Sequence, residues 1–178
     1  MDYERIKKIT VVLLCAFFVL GTAAGVFLAD VQGPNAVEFG EVRPAIAVLG
    51  CFGPVFAAIS AGLTVYCRAA YPVIFFCRGL GAAYSVSVIY GADTTARGLL
   101  RALGIIGPRT ALLLCGLAVL CMDAYAKTLG GKRKPEGEQC YAPDKAFVRR
   151  SLICVCFAAA AALCVIYLSP RVAVALDG

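Results

Sequence analysis

The sequence contains no histidine and no tryptophan, and only 16% of its 178 residues are charged. Without histidine, the chain has no Ser–His catalytic pair, no histidine-ligated metal and no imidazole pH sensor. Soluble domains usually contain about a quarter charged residues, so this chain is poor in charge by comparison. These absences exclude many classes of enzyme and argue against a soluble domain.

Apolar side chains are abundant instead, at 61% of the residues and a mean hydropathy of +0.84. A helix that crosses the hydrocarbon core of a bilayer needs about 20 apolar residues. The sequence predicts an all-α polytopic membrane protein, a single domain over 1–178 embedded in the lipid bilayer. The expected transmembrane helices are about 9–29, 44–67, 71–91, 104–126 and 151–168. The first resembles a signal peptide in its basic flank, but its length favours a retained span.

The basic residues predict the orientation of the chain. Most of the 17 lysines and arginines lie in the N-terminal segment and in the loops after the second and fourth spans. The positive-inside rule therefore places the N-terminus in the cytoplasm and the C-terminus outside, in a multi-pass protein of the cell (cytoplasmic) membrane.

The longest polar segment is a basic cytoplasmic loop at 127–150. Its main basic residues are Lys132, Arg133, Lys134, Arg149 and Arg150. The segment fixes topology and attracts anionic lipid, or it docks a specific protein. Nucleic-acid binding is not expected, because no basic surface interleaved with aromatic residues is present.

Ten cysteines are present, and all except Cys140 lie inside apolar runs. Buried free cysteines commonly act as small apolar side chains, and we expect that role for these. No CxxC spacing occurs, and Cys154 and Cys156, two positions apart, point to different sides of a helix, so the sequence predicts no metal site. We also expect no cofactor.

Small residues repeat every four positions in the third span, at Gly79, Ala83, Ser87 and Gly91. Such a stripe lets helix backbones approach closely within a membrane. It serves packing within the chain, or it forms a groove for a partner helix or for a second copy. Two prolines, Pro54 in the second span and Pro108 in the fourth, are expected to bend or break their helices.

Three ionisable residues fall inside the predicted spans, and such residues are candidates for a functional site. Arg78 is expected about 10 Å deep and Asp123 about 6 Å deep from the cytoplasmic face. The two would form a pair that fixes the third and fourth helices in register. The alternatives are that Arg78 extends to the inner headgroups, or that the charges coordinate a ligand or ion. Arg109 is expected near the outer surface, or in a re-entrant turn that continues the 97–101 stretch.

Catalytic motifs do not occur. The chain has no HExxH zinc motif and no phosphate-binding P-loop. An intramembrane aspartyl protease needs two aspartates at membrane depth, and only Asp123 qualifies. We therefore expect no catalytic residues and no enzymatic activity.

The third and fourth spans carry a resemblance to a known family. The stretch FFCRGLGAAYS at 75–85, followed by LGIIGP at 103–108 opening the next apolar run, resembles the stage II sporulation protein M family. The resemblance covers mainly 72–126. Arg78 and Gly79 match the basic–glycine step of the family, and Pro108 matches its helix-opening proline.

The resemblance implies a non-enzymatic membrane scaffold that acts in engulfment of the forespore during sporulation. Its partners would be membrane-anchored peptidoglycan hydrolases resembling the stage II sporulation proteins D and P. A partner's own anchor would pack into the small-residue groove. The competing hypothesis is a small transporter or ABC-type permease subunit with a polar path at Arg78 and Asp123. A third is a membrane partner for a cytoplasmic ATPase that docks on 127–150.

Overall fold

A computed structural model describes residues 3–32, 44–64, 66–92, 94–129, 143–168 and 170–171. This part of the chain is all-helical. In chain order the helices are α1 (Tyr3–Gln32), α2 (Pro44–Gly62), α3 (Cys67–Ala92), α4 (Ala96–Leu129) and α5 (Lys145–Leu163), which a π-helical turn (Cys164–Leu168) extends.

Four of these helices have the length and apolar character needed to cross a bilayer. The four segments are Glu4–Val31, Cys67–Gly91, Ala96–Tyr125 and Lys145–Leu168. Large apolar side chains point outward from them, including Val12 with 69% exposure and Phe27 with 70%. An outward apolar surface of this kind suits contact with lipid. The protein is a helical membrane protein, and α2 adds a shorter apolar helix over Val48–Gly62.

The apolar run predicted as one span at 44–67 contains a turn. Helix α2 ends at Gly62, and α3 begins at Cys67 rather than at 71. The amides of Leu63 and Thr64 donate to the carbonyls of Ser60 and Ala61, at 3.1 and 3.0 Å, and close the turn. Most residues of this connection are apolar, so hydropathy alone did not separate it from the helix.

The predicted loop at 127–150 is shorter than expected at both ends. Helix α4 continues to Leu129, and α5 begins at Lys145. Asp144 caps α5, because its side chain accepts a 2.6 Å hydrogen bond from the Phe147 amide. Arg149 and Arg150 are therefore helical. Of the remaining basic residues of the predicted loop, Lys127 and Lys145 are also helical, and Lys132, Arg133 and Lys134 lie outside the described residues.

Helices α1 and α3 run parallel and pack backbone to backbone. Gly21 of α1 lies against Phe76 of α3, and Gly25, one turn later, lies against Leu80. The contact four residues later in α1 is also four residues later in α3, so the two helices run in the same direction. The α1–α3 interface is the most extensive helix pairing in the bundle.

Helices α4 and α5 alternate in direction after α3. The Cys67 thiol at the start of α3 lies 3.8 Å from the Thr128 hydroxyl near the end of α4, so these helices are antiparallel. Asp123 of α4 pairs with Arg150 near the start of α5, so α4 and α5 are also antiparallel. Helix α5 therefore runs in the direction of α1 and α3.

Helix α2 runs against α5, since Gly62 at its end lies beside Phe147 at the start of α5. The five helices thus alternate in direction. The starts of α1, α3 and α5 and the ends of α2 and α4 share one end of the bundle, which we call the basic end. Its basic residues are Arg5, Lys7, Lys8, Arg68, Lys127, Lys145, Arg149 and Arg150.

Apolar and small side chains fill the centre of the bundle. Fully buried members include Leu14 of α1, Val55 of α2, Tyr71 of α3, Leu117 of α4 and Ala158 of α5. Every helix contributes to this core, which is continuous between them. The charged side chains considered next lie around this core.

Candidate functional site

Arg78 lies deeper than the sequence predicted. Since α3 begins at Cys67, Arg78 lies about 16 Å from the basic end, near the middle of the helix. Its side chain is half-buried, and its Nη1 donates a 3.2 Å hydrogen bond to the carbonyl oxygen of Gly50 in α2. The guanidinium group therefore contacts the α2 backbone within the membrane.

Pro54 explains why the Gly50 carbonyl accepts this bond. In a helix, the amide of each residue donates to the carbonyl four residues earlier, and proline has no amide hydrogen. Pro54 thus leaves the Gly50 carbonyl without its helical donor, and Arg78 supplies one. Buried backbone groups in a membrane need such partners. Helices α2 and α4 continue through Pro54 and Pro108, so the expected break does not occur at either proline, and the expected bend stays a prediction.

Arg109 approaches the same residue from α4. Its Nη2 lies 2.5 Å from the position that a Cβ atom on Gly50 would occupy, so a larger residue at position 50 would displace the guanidinium group. Helix α4 begins at Ala96, so Arg109 lies about 20 Å along the helix from its start, and its place near the outer surface stays a prediction. The continuous helix also excludes the re-entrant turn. Arg78 and Arg109 therefore converge on Gly50.

Asp123 takes part in a different cluster, near the basic end. Its carboxylate pairs with Arg150 of α5 and lies 3.1 Å from the Lys127 Nζ, which is also 2.8 Å from Asp144. Two cations thus meet two carboxylates. The predicted Arg78–Asp123 pair is not formed, because Arg78 bonds to Gly50 closer to the middle of the bundle.

The Lys127 ammonium remains charged in this cluster. Burial alone would lower its pKa, but its hydrogen bonds to Asp144 and Asp123 outweigh that effect, and the pKa is raised above its ordinary value. The attraction is therefore complete at neutral pH and is lost only when the pH rises through this raised pKa. The cluster joins α4 to α5 and to the cap of α5, which is a structural role.

The small-residue stripe of α3 is occupied by α1 over its first half. Gly79 lies against the backbone at Phe18 and Thr22, and Ala83 lies beside Gly25. A partner helix therefore has no access to Gly79, which is buried, whereas Ala83 is half-buried and also borders the cleft described next. Gly91, at the end of the stripe, is exposed and has no neighbouring atoms in the space a Cβ would occupy.

A cleft lies beside the part of this stripe that is farther from the basic end. It has a volume of about 280 Å³ and lies between the halves of α1, α3 and α4 that are farthest from the basic end. Small or hydroxyl-bearing residues line much of it, including Thr22, Ala83, Ser87, Gly107 and Thr110. Such residues permit close approach of another helix in a membrane.

No protein-family model, curated protein or solved structure matches this chain. Function therefore has to follow from the arrangement of its side chains. The described residues offer two candidate sites, the cleft and the pair of arginines at Gly50.

The nine cysteines in the described residues are all free thiols. Four of them, Cys51, Cys67, Cys121 and Cys154, are buried in the core. These four pack as small apolar side chains. Cys140 lies outside the described residues.

Sequence reasoning missed the role of Gly50. The signal was present, because a glycine four residues before a proline marks a carbonyl that loses its helical donor. The spacing does not tell which side chain replaces that donor, since this depends on how α3 and α4 rotate against α2. The contributions of α1 and α4 to the cleft were missed for the same reason.

Proposed function

We propose that the protein is a non-enzymatic scaffold of the cytoplasmic membrane that anchors or positions peptidoglycan hydrolases during forespore engulfment. The resemblance of 72–126 to the stage II sporulation protein M family supports this role. The partners would resemble the stage II sporulation proteins D and P.

The cleft between α1, α3 and α4 is the observation that carries this proposal. It lies in the half of the bundle farthest from the basic end, and its lining includes glycine, alanine, serine and threonine. A transmembrane anchor inserted there would pack closely against small residues, and the almost wholly apolar surface of the cleft would suit its apolar side chains. The cleft thus replaces the Gly79–Gly91 groove as the proposed partner site.

The alternating helices support the orientation that this role needs. We propose five spans, in which α2 returns the chain so that α1 and α3 run parallel. The basic end would face the cytoplasm by the positive-inside rule, with the N-terminus inside and the C-terminus outside. The cleft would then lie in the outer leaflet.

The test is affinity capture of the tagged protein from membranes of its sporulating host, followed by mass spectrometry. A Gly107→Leu variant would fill the cleft, because a side chain at Gly107 meets no neighbouring atoms that would force a rearrangement. Gly81→Leu is the matched control, since Gly81 is equally open and lies on α3 outside the cleft lining. We expect membrane-anchored hydrolases with the wild type and the control, and their loss with Gly107→Leu.

Other results would count against the proposal. If the wild type captures no hydrolase, the scaffold role is wrong. If Gly107→Leu captures hydrolases as well as the control does, their site is elsewhere on the molecule.

A second candidate function is a small transporter or permease subunit. The observation that favours it is the convergence of Arg78 and Arg109 near the middle of the bundle. The polar path predicted at Arg78 and Asp123 is not part of this alternative, because Asp123 belongs to the separate cluster with Arg150. Recovery of a cytoplasmic ATPase in the same capture experiment would support this alternative over the scaffold.

A further inference from the structure

The two arginines at Gly50 have few hydrogen-bond acceptors near them among the described residues. A guanidinium group carries five N–H donors and stays charged in proteins. Among the described residues, Arg78 has its single hydrogen bond to Gly50, and Arg109 has neither a hydrogen bond nor an ion pair. Most of the donors at this site therefore have no protein acceptor in the described part of the chain.

The charges at the site are also unbalanced. The described carboxylates are Glu4, Asp30, Asp123 and Asp144, and none of them forms a salt bridge with Arg78 or Arg109. The two positive charges repel each other, and the apolar surroundings strengthen that repulsion. Charges within a membrane normally require a partner. A bound anion would offset this repulsion.

The site lies within reach of the outward surface. Gly50 is about 9 Å below the start of α2, and Arg109 is about 12 Å below Arg101. An arginine side chain extends its charged group over several ångströms toward the headgroups. An anion from the outer side would thus meet the guanidinium groups without crossing the whole bilayer.

We propose that Arg78 and Arg109, which converge on Gly50, form a binding site for a phosphate-class oxyanion. Two planar guanidinium groups match the oxygens of a phosphate with paired, charge-assisted hydrogen bonds. The oxyanion would be the headgroup phosphate of an anionic lipid or a free phosphate. The site is independent of the scaffold proposal, because it shares no residue with the cleft.

The experiment uses the full-length protein in nanodiscs and measures its thermal unfolding by circular dichroism. One series contains phosphatidylcholine alone, with inorganic phosphate titrated against chloride at equal ionic strength. A second series replaces part of the lipid with phosphatidylglycerol. A raised unfolding temperature with inorganic phosphate assigns a free oxyanion, and a rise that needs phosphatidylglycerol assigns the lipid headgroup.

Two pairs of variants test the residues. Arg109→Gln removes a guanidinium group that makes no hydrogen bond or ion pair with the described residues, whereas Arg97→Gln removes an exposed arginine of the same helix. We expect the apparent affinity for phosphate or phosphatidylglycerol to fall by about tenfold or more in Arg109→Gln only. Gly50→Ala displaces the Arg109 side chain and should have a similar effect, while Gly53→Ala, with open space around it, should have none.

The Gly50→Ala pair keeps the test valid if Arg109→Gln does not fold. The proposal is overturned if neither phosphate nor phosphatidylglycerol changes the unfolding temperature of the wild type. It is also overturned if Arg97→Gln weakens binding as much as Arg109→Gln, because binding would then reflect general surface charge.

Discussion

At the scale of single residues, the three intramembrane charges have different surroundings. Asp123 is 8% exposed and is held by Arg150 and Lys127, in a cluster whose charges cancel. Arg78 and Arg109 lie against Gly50, where the described residues supply only one acceptor. Asp123 therefore stabilises the bundle, whereas the arginines are available to a ligand.

A double-mutant cycle tests the Asp123 cluster. Asp123→Asn combined with Arg150→Gln should show a coupling energy of about 1–2 kcal/mol in the free energy of unfolding, because the two side chains interact directly. Unfolding in a denaturing detergent titration measures it. Asp123→Asn combined with Arg149→Gln, at the exposed neighbouring position, should show coupling near zero. Equal coupling in both cycles would argue against the pair.

The residue types were predictable at this scale, but their partners were not. Hydropathy places Arg78, Arg109 and Asp123 inside apolar runs, and that much requires only the sequence. Pairing Arg78 with Asp123 failed because depth was counted from assumed helix ends, and because depth says nothing about the direction in which a side chain points. Starting α3 at Cys67 moves Arg78 about one turn deeper.

At the scale of helices, close packing between α1 and α3 depends on glycine. Gly21 and Gly25 on α1 face Gly79 and Ala83 on α3, and any Cβ at the three glycines would meet the backbone of the opposite helix. Backbone atoms cannot move aside as a flexible side chain does. The two helices must therefore separate if any of these glycines is replaced.

Replacing Gly79 with alanine should lower the free energy of unfolding by about 2 kcal/mol, within the range for overpacked interiors. Gly81→Ala is the control, since it lies two residues away on the same helix with open space around it. Thermal unfolding in detergent compares the two variants. A destabilisation of equal size in both would show that the α1 contact does not set the effect, because the higher helix propensity of alanine alone would stabilise both variants.

The periodicity of small residues correctly indicated a packing face on α3, but the ends of the helices were harder to predict from the sequence. The turn after Gly62 consists largely of apolar residues, which no hydropathy window separates from a span. The start of α5 had a local signal, since Asp144 lies three residues before the Phe147 amide that it caps. The charged residues after it were instead assigned to a loop.

At the scale of the whole molecule, the alternation of five helices carries the proposed topology. Parallel α1 and α3 require the chain to return between them, and α2 is the only described segment in that interval. Helix α2 has a shorter apolar stretch than the other four helices, so the number of spans depends on whether α2 crosses the membrane.

Reporter fusions test the topology without altering the native cysteines. A C-terminal alkaline phosphatase, active only outside the cytoplasm, should be active, and a C-terminal green fluorescent protein should be dark. A green fluorescent protein at the N-terminus serves as the control and should fluoresce. Fluorescence at both termini would indicate an even number of spans and would remove α2 from the count.

The parallel pairing of α1 and α3 also has a consequence for biogenesis. Among the described residues, α1 contacts α3 and α4 but not α2, its neighbour in sequence. A ribosome working at roughly 5–20 residues per second takes about 3–12 s to add the 60 or so residues between Gln32 and Ala92. During that interval the glycine face of α1 is exposed to lipid. We expect the newly inserted chain to be most susceptible to membrane quality-control proteases at this stage, until α3 is inserted and packs against α1.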